Sequence, residues 1–301
     1  MKFKLLFALI ALSIVSCSKD DDSDTKDSNP AAQEKKLDKI TDTRFKTDGS
    51  VNTTTIAEFT DSKLVSQSTY QLDQMVANST YMYNESGLLV EKKSYDSSIS
   101  GGAQPYASSL FKYDGQGRVT EHDYNYVIIE ADRTITTYTY NSDTTISASA
   151  DYFDVLNNEH IITNDKYYVN TNGHVYKKTG SDGSNKLMAV YQGENLTSYV
   201  SGLNTISFEY NTTDVPKGQY HNIVQNLYGG NLLSAVLVNG FDAIDFGVKN
   251  YVTKETTAGV SATSYLTYTY EFDSEGYPVK VKCYKDGNSL PYLIREIQYE
   301  L

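Results

Sequence analysis

A nine-residue unit, aromatic–x–aromatic–Asn/Asp–x–x–Gly–x–apolar, recurs along this chain and leaves it few folds to choose from. It reads Tyr81-Met82-Tyr83-Asn84-Glu85-Ser86-Gly87-Leu88-Leu89, and again Phe111-Lys112-Tyr113-Asp114-Gly115-Gln116-Gly117-Arg118-Val119. Further copies return at 167–175, with Val169 at the second aromatic place, and at 270–278. Degenerate copies sit at Tyr138-Thr139-Tyr140-Asn141, at Phe208-Glu209-Tyr210-Asn211 and at 189–196, where Asn195 takes the glycine place. Weaker echoes lie at 43–49 and 57–64. Two aromatics two apart project from one face of a strand. The Asn or Asp opens a type I turn by bonding its side chain to the backbone ahead. The glycine three residues later takes the left-handed conformation that a short hairpin loop needs. The apolar residue then starts the return strand. Each copy is a predicted β-hairpin, and tandem copies predict an antiparallel meander.

Alternation within the strands sharpens this. In Leu266-Thr267-Tyr268-Thr269-Tyr270-Glu271-Phe272, Leu and the aromatics share one face while Thr and Glu take the other. Residues 134–140 repeat the pattern with a weaker apolar face. The prediction is an all-β domain over 37–301, an antiparallel meander of repeated hairpins forming a curved sheet, half-barrel or barrel. One face is aromatic and buried, the other polar and wet. Residues 215–262 break the repeat and are expected to form an insert that covers part of the aromatic face. Inside it, 223–228 suggests one short helix and 232–238 an apolar run buried on both sides.

Ahead of the repeats, Lys2 and Lys4 precede an apolar run at 5–15 and then Ser16-Cys17. The run is shorter than the ~20 residues of a spanning helix and predicts a signal peptide over 1–16. Ile14-Val15-Ser16-Cys17 resembles the bacterial lipobox, in which the cysteine sulfur takes a diacylglycerol and the new amino terminus is acylated. Cys17 is therefore the expected lipidation site, and two or more acyl chains anchor stably at ~0.8 kcal/mol per buried methylene. Residues 17–36 are rich in charge and lack large apolar side chains after the cysteine, as a flexible acidic tether does. Within them Ser18, Lys19, Asp20, Asp21 and Asp22 resemble the export signal of Bacteroidetes surface lipoproteins. That resemblance implies a lipid-anchored outer-membrane protein exposed at the cell surface, with the periplasmic face as the alternative.

The hairpin unit itself is similar to the YD repeats of RHS proteins. The whole pattern resembles Bacteroidetes lipoproteins that carry a domain of unknown function with a porin-like fold, including a closing strand such as Ile297-Gln298-Tyr299-Glu300. Few copies and irregular spacing set the chain apart from a long RHS shell that encloses a toxin. The resemblance brings no reaction and no catalytic residues.

Composition narrows the partners. The formal net charge is −12, and loss of Lys2 and Lys4 with a leader makes it about −14. That sign disfavours nucleic acid and anionic headgroups. The two cysteines are Cys17 and Cys283, so with Cys17 lipidated no internal disulfide forms. Cys283 alternates onto the apolar side of its strand and reads as a core thiol. A spanning barrel needs a lipid-facing aliphatic band with aromatic girdles. The non-aromatic face here carries Thr, Ser, Lys and Glu, so the N-terminal lipid is the expected membrane contact.

Motifs for chemistry are sparse. His122, His160, His174 and His221 show no ligand spacing and no H-E-x-x-H occurs, so no metal or other cofactor is expected. Glu121-His122-Asp123 reads as a solvated strand end. No nucleophile elbow, P-loop or dinucleotide fingerprint is present. Asp242 and Asp245, flanked by Phe241, Ala243, Ile244 and Phe246, come nearest to a glycosidase pair but read as turn or cap acids. Asp151 and Asp154 raise the same thought more weakly. Tyr95, Tyr106, Tyr124, Tyr126, Tyr199 and Tyr265 lie outside the turn-preceding pairs and are expected at the surface. Of these, Tyr95, Tyr124, Tyr126 and Tyr265 are candidates to stack on a ligand, since a tyrosine offers rigid amphipathic area. The reading is a non-catalytic surface binding or scaffold module for a glycan or protein ligand. The alternative is a polysaccharide-acting hydrolase drawing acids from 215–262, which needs two converging carboxylates, one with a raised pKa.

Overall fold

The computed structural model describes residues 35–126, 132–142, 144–155, 157–214 and 250–300. The chain divides into two compact units, Met1–Gln33 and Glu34–Leu301, and the described strands lie in the second. They are β1 Lys36–Phe45, β2 Val51–Thr60, β3 Lys63–Gln71, β4 Gln74–Tyr83, β5 Leu89–Asp96 and β6 Ala107–Tyr113. There follow β7 Val119–Tyr126, β8 Asp132–Tyr140, β9 Thr145–Asp154, β10 Glu159–Val169, β11 Val175–Gly180 and β12 Asn185–Gln192. The last six are β13 Asn195–Ser201, β14 Asn204–Asp214, β15 Asn250–Ala258, β16 Thr263–Phe272, β17 Pro278–Lys285 and β18 Leu293–Glu300.

Each strand pairs antiparallel with its chain neighbours. β18 then returns to β1 with Ile297 opposite Ile40, so the meander closes into an 18-strand barrel with no free edge. At the seam Arg295 grips Asp42 in a two-pronged ion pair at 2.6 Å.

The turns of the best copies form as the sequence predicts, whereas in the 189–196 copy the chain turns on Gly193 at φ +63° and Asn195, expected at the glycine place, is already paired in β13. The Asn84 side chain accepts from Leu88 N at 2.9 Å, and Gly87 closes the loop at φ +78°. Asp114, Asn170 and Asp273 each accept two backbone N–H bonds from the residues ahead. After most of these turns the register shifts by one residue, at Glu58/Phe59, Met82/Tyr83, Lys112/Tyr113, Tyr168/Val169, Val190/Tyr191, Glu209/Tyr210 and Glu271/Phe272. A bulge disrupts the ladder locally, and a tyrosine hydroxyl supplies a donor there. Tyr83 bonds the carbonyl of Leu64, Tyr113 that of Leu89, Tyr140 that of Val119 and Tyr191 that of Val175. Tyr210, Tyr270 and Tyr299 do the same to Leu196, Val252 and Pro278. A phenylalanine at these places would fill the same space without supplying the donor.

The aromatic face is the inner one. Leu37, Leu89, Val119 and Val175 are at most 1% exposed and come from all round the ring. In a single closed layer, inward side chains converge while outward ones splay, so only the inside buries them to that degree. The core they form gathers at one end, where β2, β4, β6 and the other even strands finish. The chain enters β1 at this same end. The outer face is laced with ion pairs such as Lys112–Glu121, Arg133–Asp123 and Lys282–Glu271.

Two expectations change. The stretch 215–262 is not all insert, because Asn250–Ala258 is β15, a full barrel strand. Residues 215–249, with the short helix and apolar run expected there, lie outside the described residues. The weak echo at 43–49 is a hairpin at the opposite end, between β1 and β2, and takes no part in the aromatic ring.

Candidate functional site

The bulges decide which polar side chains reach the lumen. Simple alternation from Leu89 would turn Glu91 and Lys93 inward. The shift at Met82/Tyr83 instead sets Lys92 opposite Tyr81 and opposite Ser109 on the next strand, all on the inner face. Alternation from Val119 would likewise turn Glu121 and Asp123 inward. The shift at Lys112/Tyr113 puts His122 opposite Phe111, Tyr124 opposite Ser109 and Tyr126 opposite Ala107. The cluster Glu121-His122-Asp123 is thus split. Its acids pair with Lys112 and Arg133 outside, while His122 is buried within rather than solvated at a strand end.

An aromatic run results on the inner wall of β6 and β7. The His122 ring lies flat on Phe111 at 4.7 Å and meets Tyr124 edge-on at 6.4 Å. Tyr126 contacts Tyr106 at 5.8 Å, also edge-on. Tyr124 is 37% exposed, the most accessible ring of the run. Burial raises the pKa of its hydroxyl, helped by the nearby phenols of Tyr106 and Tyr126. Next along the wall Tyr152 donates to Asp132, which also raises its pKa. These rings line the inner wall of the barrel.

Beside the run the wall is polar. Ser79 and Ser94 share a hydrogen bond at 3.2 Å, and Tyr81 donates to Gln67 at 3.4 Å. His122 Nε2 lies 3.1 Å from Ser109 Oγ. Burial pushes the His122 pKa down to about 4, with Lys92 adding to the drop and Asp123 opposing it. His122 is therefore neutral at pH 7. The Lys92 amine sits 5.7 Å above the Tyr81 ring, and burial lowers its pKa. Among the described residues it has no carboxylate within ion-pair distance.

The other sequence candidates scatter. Tyr95 is on the outer face, half-buried beside a cavity of about 390 Å³ that Met75, Asn78 and Gly102 also line. Tyr265 is outward too, with Lys254 over its ring at 5.6 Å. Tyr199 is not at the surface, because its ring packs against the core beside Phe208. Tyr95, Tyr106, Tyr126 and Tyr265 are each half-buried. Asp151 bonds His160 at 2.8 Å on the outer face, while Asp154 holds the β9–β10 turn through Asn157, so the two do not converge. Cys17, Ser18, Lys19, Asp20, Asp21, Asp22, His221, Asp242 and Asp245 lie outside the described residues. Cys283 is a core thiol as expected, 3% exposed, with its pKa pushed up to about 11 by burial. Among the described residues no three His, Cys, Asp or Glu side chains gather to hold a metal. Lys92 and Ser109 are additions to the sequence candidates: one bulge sets Lys92 on one side of Ser109, and the next sets Tyr124 on its other side.

No family model and no curated protein matches the chain. Solved structures do. A porin-like protein from Bacteroides uniformis ATCC 8492 is 14% identical, with a TM-score of 0.43, over 88% of this chain and 98% of that one. A porin-like protein from Bacteroides vulgatus ATCC 8482 is 12% identical, with a TM-score of 0.35, over 89% and 99%. A protein of unknown function from Bacteroides fragilis NCTC 9343 is 8% identical, with a TM-score of 0.15, over 54% and 91%.

Proposed function

We propose that the protein is a non-catalytic binding module of the cell envelope that holds a glycan against the inner wall of its barrel. The observation that carries this is the lumenal run of Phe111, His122, Tyr124, Tyr126 and Tyr106, with Tyr124 presenting its ring. Rigid aromatic rings flanked by hydroxyls suit the apolar face and equatorial hydroxyls of a sugar. A screen of oligosaccharides against the full chain carrying Cys17→Ala tests it. Tyr124→Ala should weaken any sugar found by several-fold, in keeping with the ~0.5–1.5 kcal/mol of an aromatic contact. No binding to any glycan, or binding indifferent to Tyr124, refutes the lumenal reading.

The same proposal holds that Cys17 is lipidated and that Ser18 to Asp22 address the protein to the outer surface. The outer face favours a lipid as the only anchor, since ion pairs such as Lys280–Glu296 occupy the places a lipid-facing band would need. Alkaline extraction decides: the native protein stays with membranes and Cys17→Ala is released, whereas retention of Cys17→Ala means the barrel itself spans.

A further inference from the structure

We propose that the glycan is an acidic one, and that the Lys92 ammonium is the counter-ion for a sugar carboxylate on the inner wall. This rests on the glycan reading above and names its ligand class. In two hairpins the first aromatic of the pair faces a lysine across the strand, Tyr81 opposite Lys92 and Tyr167 opposite Lys178. Both amines lie over their ring, at 5.7 and 5.0 Å. Two residues before the aromatic, the second hairpin has Asp165, which pairs with Lys178 at 2.8 Å and Lys186 at 2.7 Å. The first hairpin has Ser79 at that place. Lys178 is answered from within the protein, and among the described residues Lys92 is not.

A half-buried ammonium without a counter-charge is costly to hold, and an incoming carboxylate would relieve it with a charge-assisted hydrogen bond. The groups around Lys92 are uncharged donors and acceptors, namely Ser79, Ser94, Ser109 and Gln67, with His122 neutral. They suit sugar hydroxyls, and Tyr124 lies two strands over, on the far side of Ser109, for the ring. One lysine answers one carboxylate, so a short acidic oligosaccharide fits, whereas any long polyanion would meet the negative field of a −12 chain.

Calorimetry on the full Cys17→Ala chain, with an oligogalacturonide and a neutral oligogalactoside of equal length, provides the test. The uronide should bind at least about tenfold tighter at pH 7, the scale of one charge-assisted bond. Lys92→Met should bring it down to the level of the neutral sugar. Ser79→Asp, which keeps the lysine and copies the Asp165 arrangement, should do the same while neutral binding persists. Equal affinity for the two sugars, or a uronide preference that survives both substitutions, overturns the role of Lys92 and leaves the glycan reading standing. Failure of both sugars to bind overturns the acidic-sugar proposal, and the glycan reading falls with it only if the oligosaccharide screen is empty as well.

Discussion

Lys92 and Lys178 occupy the same position in two hairpins of one barrel, yet they live under opposite electrostatic terms. At Lys178 burial disfavours the charge, but Tyr167 and Asp165 outweigh it and the pKa ends above 10.5. At Lys92 burial acts without an opposing carboxylate and the pKa ends below 10.5. The backbone is nearly the same in the two places: an inward aromatic, an Asx turn, a glycine and a bulge. What decides the lysine's charge balance is one carboxylate, Asp165 against Ser79. The repeat supplies the scaffold, and single departures from it make one lysine part of the framework and the other available to a partner.

The comparison can be broken most sharply at Asp165. Asp165→Ala leaves Lys178 and Lys186 facing each other without their shared acid. The loss should be about 2–3 kcal/mol in urea unfolding, less than for a fully buried pair because Lys186 is half exposed. Ser79→Asp should move the other way, giving Lys92 a partner and adding roughly 1 kcal/mol. Tyr83→Phe, which removes the donor to Leu64 without emptying the ring, should cost about 1 kcal/mol. Lys92→Met should be neutral or slightly stabilising, since it discards a charge whose desolvation nothing offsets, whereas Lys178→Met should destabilise.

Acid sharpens the same contrast. The Asp165 carboxyl is disfavoured by burial, yet its bonds to Lys178 and Lys186 outweigh that and hold its pKa below 3.8. Its folded value is therefore lower than its unfolded one. Its contribution is complete above the ordinary carboxylate range and fades as pH falls through the folded value. The stability gap between the native protein and Asp165→Asn should be constant from pH 7 to 5 and close below about pH 4. A gap that widens on acidification would contradict the pairing.

How much of this was readable beforehand follows from one device. The Asx side chain, the left-handed glycine and the paired aromatics are local chemistry, so Asn84, Gly87, Tyr81 and Tyr83 announce their hairpin from the sequence. Closure through Arg295 and Asp42 joins residues at opposite ends of the domain, and no local pattern carries it. The bulge is the decisive case. Counting by twos from Leu89 or Val119 turns Glu91, Lys93, Glu121 and Asp123 inward, and one extra residue reverses every choice after it. That is why Tyr124 and Tyr126 were legible only as tyrosines outside the pairs, and why His122 read as solvated. Lys92 could have been suspected from its match with Lys178, each three residues beyond the apolar residue that follows a turn.

The central claim is that the bulge turns Lys92 into the lumen without a counter-charge while Lys178 is turned inward with one. Titration of the lysine amines by NMR, on ¹³C-dimethylated protein assigned with Lys92→Met and Lys178→Met, tests it most directly. The account predicts that Lys92 titrates below 10.5 and Lys178 above it. It also predicts that Ser79→Asp carries the Lys92 curve upward toward that of Lys178. If the two curves coincide, or if Lys92 titrates as a free surface amine and ignores Ser79→Asp, the arrangement described for the inner wall is wrong.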